Sequence, residues 1–386
     1  MILKSGSFLL ILLMVAQAKA VVWKAENSWN DVWEKKYSEW ISTTVNPSFL
    51  KENLISTDCA DAVIATRWIF ARENLLPAAS SVGSSKLISN LSNSWDNYSI
   101  DVNWKKDKRF LQALKDIINS TNSKTLYQDT YPVILSSKYL VPGTLFVNAT
   151  KESGHAEWIS KMSFDGMQAP IMFNSSTVPQ LVRDLLVYPF MKIKWPEKNK
   201  NGFVKFRWVV LSNNSVSLKS ADAMPGYSNE QYELGVTAGM DFDDYVTTRL
   251  IGHPIDGINK LQILVSHLTE RFENRVPIVQ QGFEVCGNNK CPESTSKFYD
   301  HSTYSRDGAI VFLIQGIFEL IYSDRYLNVD DQMAGQMTLK WSQLQSDIMI
   351  EIQNKNYSLG QLVSNWNLSL FSSDPNVSIE KRWGIE

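Results

Sequence analysis

A long apolar segment that begins with a cysteine restricts the fold more than any other part of the sequence. Residues 56–72 have a polar start, an interior without Pro or Gly, and two arginines toward the end, and Asn74 and Pro77 follow. This pattern predicts a helix with Asp58 as its N-cap. Cys59 then lies in the first turn, where unpaired backbone N–H groups and the helix dipole favour a thiolate. We therefore interpret Cys59 as a candidate nucleophile.

The surroundings of this cysteine leave a second interpretation open. A cysteine on an apolar helix is more often a small buried hydrophobic residue than a nucleophile. Asp58 and Asp61 are anions that oppose a thiolate unless their carboxylates are used elsewhere. We expect these carboxylates to cap backbone N–H groups or to pair with Arg67 or Arg72. A catalytic role for Cys59 also requires a partner base.

The first 20 residues have the features of a secretory signal peptide. Lys4 provides a positive start, residues 8–15 form an apolar run, and Ala18-Lys19-Ala20 fits a cleavage site. This run is too short to span a bilayer, and no later stretch approaches about 20 continuous apolar residues. We therefore expect an exported, soluble protein without integral membrane association, located in the periplasm or outside the cell.

The cysteine count then separates one thiol from the other two. Cys286 and Cys291 flank the turn-forming Gly287-Asn288-Asn289-Lys290, which predicts a local disulfide in an oxidising compartment. Cys59 is left over, and an odd thiol in an exported protein is intermolecular, buried or kept for chemistry. A zinc site that combines the other two cysteines with His301 is the alternative, although it lacks a second close pair of ligands.

The charge balance excludes two classes of partner. The chain has 38 basic and 40 acidic residues and a formal charge of −2, without a basic block or an acidic tail. Binding to nucleic acid or to a membrane surface therefore has no electrostatic support. No cofactor or metal is predicted, and the oligomeric state stays open.

The order of the predicted elements indicates an α+β fold. Aromatic residues recur at helical spacing between residues 29 and 41, as expected of a helix that covers the core. A segment rich in Ser and Asn, near residues 80–130, is interpreted as an insertion that contains a helix at residues 107–118. Predicted strands follow at residues 144–147, 156–162, 169–174 and 203–210, the last turning into 216–218. Beyond residue 220 the pattern is mainly helical, most clearly at 257–272 and 306–322.

Among the four histidines, His155 is the best placed to act as the base for Cys59. It follows Gly154 at the start of a predicted strand, where it can be held against the N-terminus of a helix packed on the sheet. Asn174 ends the next predicted strand, and we expect it to orient the imidazole ring as the third member of the group.

These residues resemble the papain-like cysteine hydrolases of the NlpC/P60 type. The resemblance lies in Asp58-Cys59, Pro142-Gly143-Thr144-Leu145-Phe146, Gly154-His155-Ala156 and Ile171-Met172-Phe173-Asn174. It implies a papain-like core, in which a helix packs on an antiparallel sheet, over residues 21–220, and residues 221–386 then form a mainly helical region of unknown role. It also implies that a Cys59 thiolate attacks amide bonds, in cell-wall peptides or similar substrates, with His155 as base and then acid and with Asn174 orienting His155. The oxyanion is expected near the backbone N–H of Cys59.

The sequence departs from this family at several positions, which leaves two alternatives. The family follows its cysteine with Ser-Gly where this chain has Ala60-Asp61, and its third residue is more often His than Asn. Transglutaminase-like acyl transferases or proteases also place a cysteine at a helix start and have a Gly-His-Ala element, but they orient the histidine with an Asp. The other alternative is an exported binding or structural protein that keeps the fold without chemistry.

Overall fold

A computed structural model describes residues 21–83, 86–149, 154–164, 169–191, 194–198, 201–212, 215–293, 295–322 and 331–386. The predicted signal peptide, residues 1–20, lies outside the described residues. The helices before residue 220 are α1 (Asp31–Thr43), α2 (Phe49–Glu52), α3 (Cys59–Glu73), α4 (Lys108–Ile118) and α5 (Ser123–Gln128). The strands of the same part are β1 (Ala79–Val82), β2 (Lys86–Ser89), β3 (Thr130–Pro132), β4 (Leu145–Ala149), β5 (Gly154–Met162), β6 (Ile171–Ser175), β7 (Leu186–Pro189), β8 (Asn201–Phe206), β9 (Val209–Ser212) and β10 (Ser215–Leu218).

Six of these strands form an antiparallel sheet in the order β3–β8–β4–β5–β6–β7. The chain therefore combines helices with antiparallel sheets, and the predicted α+β class is confirmed at this level. The strand predicted at residues 203–210 is wrong in one respect, because the chain leaves the sheet at Arg207 and continues as β9 in a separate hairpin with β10. The backbone N–H of Arg207 donates to the backbone carbonyl of Asp129 at 2.8 Å, and its guanidinium donates to the backbone carbonyl of Lys219 at 2.8 Å.

Helix α3 is the central helix of the N-terminal part, as predicted. Every residue from Cys59 to Arg72 is buried, which is what a helix that is apolar on all sides requires. It packs on β5 and on α4. The segment predicted as an insertion supplies α4, and Phe110 and Ile117 of this helix share one hydrophobic core with Trp68 of α3. The segment therefore completes the core around α3.

The aromatic residues of α1 cover α3, which confirms their predicted role as packing surface. Phe70 lies at the centre, with ring centroids 5.2 Å from Tyr37, 5.5 Å from Trp40 and 6.4 Å from Trp33. Aromatic pairs at these separations stabilise a core beyond the area they bury. This helix therefore holds one side of α3 in place.

A buried ion pair joins the same two helices. The Arg67 guanidinium donates to Oε1 of Glu34 at 2.5 Å, and it stacks 3.4 Å from the ring centroid of Trp29. Although burial alone would raise it, the neighbouring charge of Arg67 keeps the pKa of Glu34 below its usual value. Of the two alternatives expected for Asp58 and Asp61, pairing with an arginine is therefore not the one found, because Arg67 pairs with Glu34 and Arg72 pairs with Asp107 at 2.8 Å.

We expect Glu34→Ala to destabilise the fold strongly. The substitution leaves the buried Arg67 guanidinium without its carboxylate, a change that costs about 3–5 kcal/mol of unfolding free energy. Glu39→Ala is the matched control, because Glu39 lies on the exposed side of the same helix and its side chain pairs with the exposed Lys35 at 3.8 Å. The control should change stability by no more than about 0.5 kcal/mol. Urea unfolding of both variants measures the difference, and equal losses would contradict the role of Arg67.

Helices dominate beyond residue 220, as predicted, but the chain also contains an unpredicted hairpin. The helices are α6 (Glu230–Glu233), α7 (Phe242–Ile251), α8 (Gly257–Cys286), α9 (Ser296–His301), α10 (Tyr304–Ile321), α11 (Asp331–Asp347), α12 (Leu359–Asn367) and α13 (Ile379–Trp383). Strands β11 (Met349–Ile352) and β12 (Lys355–Ser358) pair with each other. Helix α8 continues beyond the predicted end at residue 272 and passes through Pro277. None of the helices in the described ranges is both long enough and apolar enough to cross a membrane.

The predicted disulfide is confirmed. The Cys286 and Cys291 sulfurs are bonded, and both residues are buried beside Phe298 at the C-terminal end of α8. Bonded sulfurs cannot ligate zinc, so the alternative zinc site with His301 is wrong. Cys59 is the free cysteine.

Candidate active site

The candidate site forms where the first turn of α3 meets the start of β5. Cys59 is the first residue of α3, and its Sγ donates a hydrogen bond to the Gly154 carbonyl at 3.7 Å. Burial lowers the pKa of His155, the next residue after Gly154, but interaction with the Cys59 side chain raises it. The structure therefore brings together the two residues predicted as nucleophile and base.

Reciprocal capping fixes the start of α3. The Asp61 N–H donates to Asp58 at 3.4 Å, and the Asp58 N–H donates to Asp61 at 3.0 Å. Both carboxylates therefore accept hydrogen bonds from backbone N–H groups. This is the first of the two alternatives that we expect from the sequence. Burial and, after it, the nearby Asp58 charge raise the pKa of Asp61 to about 7, against a capping bond that lowers it. Below that pH, Asp61 is mostly neutral and opposes a thiolate less.

The loop that precedes α3 is tied to the loop after β6. The Thr57 N–H donates to the Leu181 carbonyl at 3.1 Å, and the Ser176 hydroxyl donates to the Thr57 carbonyl at 3.0 Å. These bonds connect the residues just before Cys59 to the strand next to the one that carries His155. The relative position of thiol and ring is therefore set by the sheet as well as by the helix.

Gly154 allows β5 to begin close to α5. A Cβ atom at this position would lie 1.7 Å from the Oγ and 2.7 Å from the Cβ of Ser123, the first residue of α5. Any larger residue must displace either the helix start or the strand start. Because the Gly154 carbonyl also accepts from Cys59, such a displacement would move the contacts of the thiol.

Three oxygen atoms surround Nε2 of His155. The distances from this nitrogen are 2.9 Å to the Ser175 hydroxyl, 3.3 Å to the Tyr188 hydroxyl and 3.3 Å to Oε2 of Glu157. The imidazole is 36% exposed, whereas the Glu157 side chain is fully buried. The ring thus lies between the thiol, a buried carboxylate and two hydroxyl groups.

Side-chain alternation explains why Glu157 reaches His155. Residues two apart on a strand point to the same face of the sheet, so Glu157 and His155 share a face of β5. Glu157 lies directly opposite Phe146, and both residues face the core that contains Phe173 and Phe203. A carboxylate buried at such a position needs a partner such as His155 to stabilise its charge.

The charged neighbours change the proton affinity of His155. Burial by itself lowers the pKa of this histidine, but hydrogen bonds and charge interactions with Cys59 and Glu157 outweigh burial and raise it to about 9. The imidazolium form therefore persists over the whole neutral range. A histidine in this state can pair with a thiolate and later give its proton to a leaving group.

Asn174 does not join this group. It lies directly opposite Trp158 in the β5–β6 pairing, and residues in direct opposition share a face. Trp158 faces away from His155, because an odd number of positions separates them along β5. The Asn174 amide donates to the Val45 carbonyl at 3.3 Å, and among the described residues no bond links it to His155. The position predicted for Asn174 beside the ring is taken by Glu157, with Ser175 from β6.

The sequence contains a pattern from which the position of Glu157 beside His155 could have been predicted. In Gly154-His155-Ala156-Glu157, an acidic residue follows the histidine by two positions, a spacing that puts both on the same face of a strand. Ser175 follows Asn174 directly, and a shift of one residue in register exchanges which of the two faces the ring. The pairing of β5 and β6 is irregular between Ile159 and Lys161, and no local pattern predicts this shift.

The ring of His155 lies in the wall of a cavity of about 400 Å³. Its other walls come from the loop after β6, from β7, and from α10 of the C-terminal region. Cys59 itself is buried, with 7% of its surface exposed. The candidate base, His155, is therefore directly accessible from the cavity.

We expect the unfolding temperature to fall as the pH rises from about 6.5 to about 9. The pKa of His155 is higher in the folded protein than its ordinary value of 6.5, so its contribution to stability is complete below pH 6.5 and is lost through about pH 9. Asp61 contributes a similar fall at lower pH, up to about 7. Thermal unfolding of wild type and Glu157→Gln across this range separates the contribution of His155 from that of Asp61, because the substitution removes the charge that favours the imidazolium form of His155. Identical pH dependence of both proteins above pH 7 would contradict the His155 assignment.

No family model, curated protein or solved structure matches this chain. The geometry of the site is therefore the basis on which a function can be proposed.

Proposed function

We propose that this protein is a cysteine hydrolase of amide bonds, with Cys59 as nucleophile, His155 as base and then acid, and Glu157 as the residue that orients His155. The observation that carries the proposal is a thiol in the first turn of a helix that bonds to the carbonyl group just before a histidine, together with the buried carboxylate beside that histidine. Nucleophile, base and orienting group in this order form the arrangement that activates side chains in unrelated folds.

The proposed reaction has two steps. The Cys59 sulfur attacks the carbonyl carbon of the substrate, and its proton resides on His155. Since the Nε2 atom faces three oxygens, we assign Nδ1 to this proton transfer. His155 then donates the proton to the departing amine, which leaves a thioester on Cys59. A water molecule gives a proton to His155 and attacks the thioester, so that a carboxylic acid and the free thiol are regenerated.

The start of α3 is suited to stabilise the oxyanion of both steps. Backbone N–H groups in the first turn of a helix have no acceptor within the helix, and Cys59 is the first helical residue. An oxyanion formed on the carbon that its sulfur attacks therefore lies near the N–H of the same residue. The positive end of the helix dipole adds to this stabilisation.

We further propose that α3 and the six-stranded sheet form a papain-like core of the NlpC/P60 type, which residues 21–220 would contain. In support, the thiol lies at a helix start and the histidine on a central strand of an antiparallel sheet. The third residue differs, because Glu157 belongs to the strand of the histidine itself. Export remains a proposal from residues 1–20, and the Cys286–Cys291 disulfide supports an oxidising compartment.

Acyl transfer to an amine is the second candidate function. It is favoured by one observation, namely that the orienting group is a carboxylate, the type of residue that transglutaminase-like proteins use with their histidine. Transfer and hydrolysis share the thioester on Cys59 and differ only in whether an amine or water attacks it.

The test is incubation of the mature protein with purified cell-wall peptides and with an unfolded protein, each with and without a primary amine. Mass spectrometry should detect new amino and carboxyl ends if the protein is a hydrolase, and amine adducts if it is a transferase. Iodoacetamide should label Cys59 in the same preparation. Failure of both reactions and of labelling would favour the binding or structural protein without chemistry.

A further inference from the structure

The cavity at His155 is almost entirely apolar. Val178, Leu186, Tyr188 and Phe312 are among its lining residues, and His155 and Ser175 also line it. Among the described residues that line it, His155 is the one that can carry a charge. A cationic ligand group would lose its hydration here without gaining a partner, whereas an apolar group would gain by leaving water.

Helix α10 creates the space. Tyr304, Gly308 and Phe312 are spaced four residues apart, so they lie on one face of this helix, and this face forms the cavity wall opposite the sheet. Apart from its chain neighbours and the backbone of its own helix, no described atom lies within 4 Å of the position that a Cβ of Gly308 would occupy. The ring of Phe312 approaches Tyr188 of β7 with 6.2 Å between centroids, which closes one end. A glycine between two aromatic residues thus leaves a slot beside the sheet.

We propose that this slot binds a bulky apolar group of the substrate, adjacent to the bond that Cys59 attacks. The inference rests on the proposed function and adds the substrate class, namely amides or esters with a medium-length aliphatic or an aromatic substituent. It also gives the C-terminal helical region a role, because α10 supplies the wall that selects the substrate. The volume of about 400 Å³ lies within the range of small-molecule binding sites.

The test compares p-nitrophenyl acetate with p-nitrophenyl octanoate, and the p-nitrophenyl esters of N-acetylglycine with those of N-acetylphenylalanine. Each buried methylene group favours binding by about fourfold, so kcat/KM of the wild type should be at least about tenfold higher for the octanoate. Comparison of the two pairs distinguishes an aliphatic from an aromatic substituent. Gly308→Phe fills the slot and should bring the octanoate-to-acetate ratio close to one.

Gly335→Phe is the matched control. Gly335 also lies within a helix, α11, where no described atom beyond its own helix backbone and chain neighbours is within 4 Å of its Cβ position, and it is not among the residues that line the cavity. This variant should keep the octanoate preference of the wild type. A wild type that does not prefer the larger ester of either pair, or a Gly308→Phe variant that keeps the preference, would overturn the inference.

A binding measurement separates the slot from the chemistry. Calorimetry of Cys59→Ala with octanamide and acetamide does not depend on hydrolysis. If no ester is cleaved but octanamide binds and Gly308→Phe abolishes this binding, the proposed function fails and the slot stands. If esters are cleaved without discrimination and octanamide does not bind, the slot fails and the proposed function stands.

Discussion

Cys59→Ala is expected to abolish hydrolysis and thiol labelling while leaving the fold intact. Removal of a nucleophile that acts together with a base lowers kcat by about 10⁴-fold or more. Position 59 is buried in a helix, so the smaller alanine side chain fits there, and alanine itself favours helix formation. Hydrolysis of the active esters, iodoacetamide labelling read by mass spectrometry, and circular dichroism provide the three measurements.

The remaining cysteines make the labelling result specific. Cys286 and Cys291 are bonded to each other, so the oxidised protein offers iodoacetamide one thiol. Cys59→Ser is the control for shape, and it should fold like the wild type and remain unlabelled. Undiminished hydrolysis by Cys59→Ala would show that another residue performs the reaction.

Glu157→Gln is expected to lower kcat/KM by about 10²- to 10⁴-fold, because the ring of His155 loses the charge that orients it and favours imidazolium. The alkaline limb of the pH profile should move from about 9 toward the ordinary histidine value of 6.5. A role confined to packing would lower stability without moving this limb. The pH dependence of ester hydrolysis therefore distinguishes the two roles.

Asn174→Ala is the matched control for this substitution. Asn174 is also buried, but it lies on the other face of the sheet and bonds to Val45. Its replacement should cost about 1 kcal/mol of stability through the lost hydrogen bond and should leave the pH profile in place. A larger rate loss in Asn174→Ala than in Glu157→Gln would restore the role that the sequence alone predicts for Asn174.

The features that the sequence predicts correctly depend on neighbouring residues. The start of α3 follows from Asp58, and its continuation from an interior without Pro and Gly that ends before Asn74 and Pro77. The disulfide follows from two cysteines on either side of a turn. These patterns act within a few residues of each other, so a single sequence contains all the information they need.

The features that the sequence does not predict depend on contacts between distant segments. Whether Asn174 or Ser175 faces His155 is decided by a shift in the pairing of β5 with β6. Helix α8 passes through Pro277, a residue that usually ends or bends a helix, since packing of α8 against α10 stabilises it. The apolar cavity requires α10 to lie beside β7, a contact for which no local pattern exists.

The placement of His155 and Glu157 on one strand has a consequence for how such a site can change over time. A residue that orients the histidine from a neighbouring strand turns to the other face of the sheet whenever an insertion or deletion shifts the pairing by one residue. An acid and a base two positions apart on the same strand keep their common face through any such shift, because the alternation of side chains is a property of the strand alone. The pair of His155 and Glu157, to which we assign proton transfer, is therefore held together by β5 alone, whatever the register of β6.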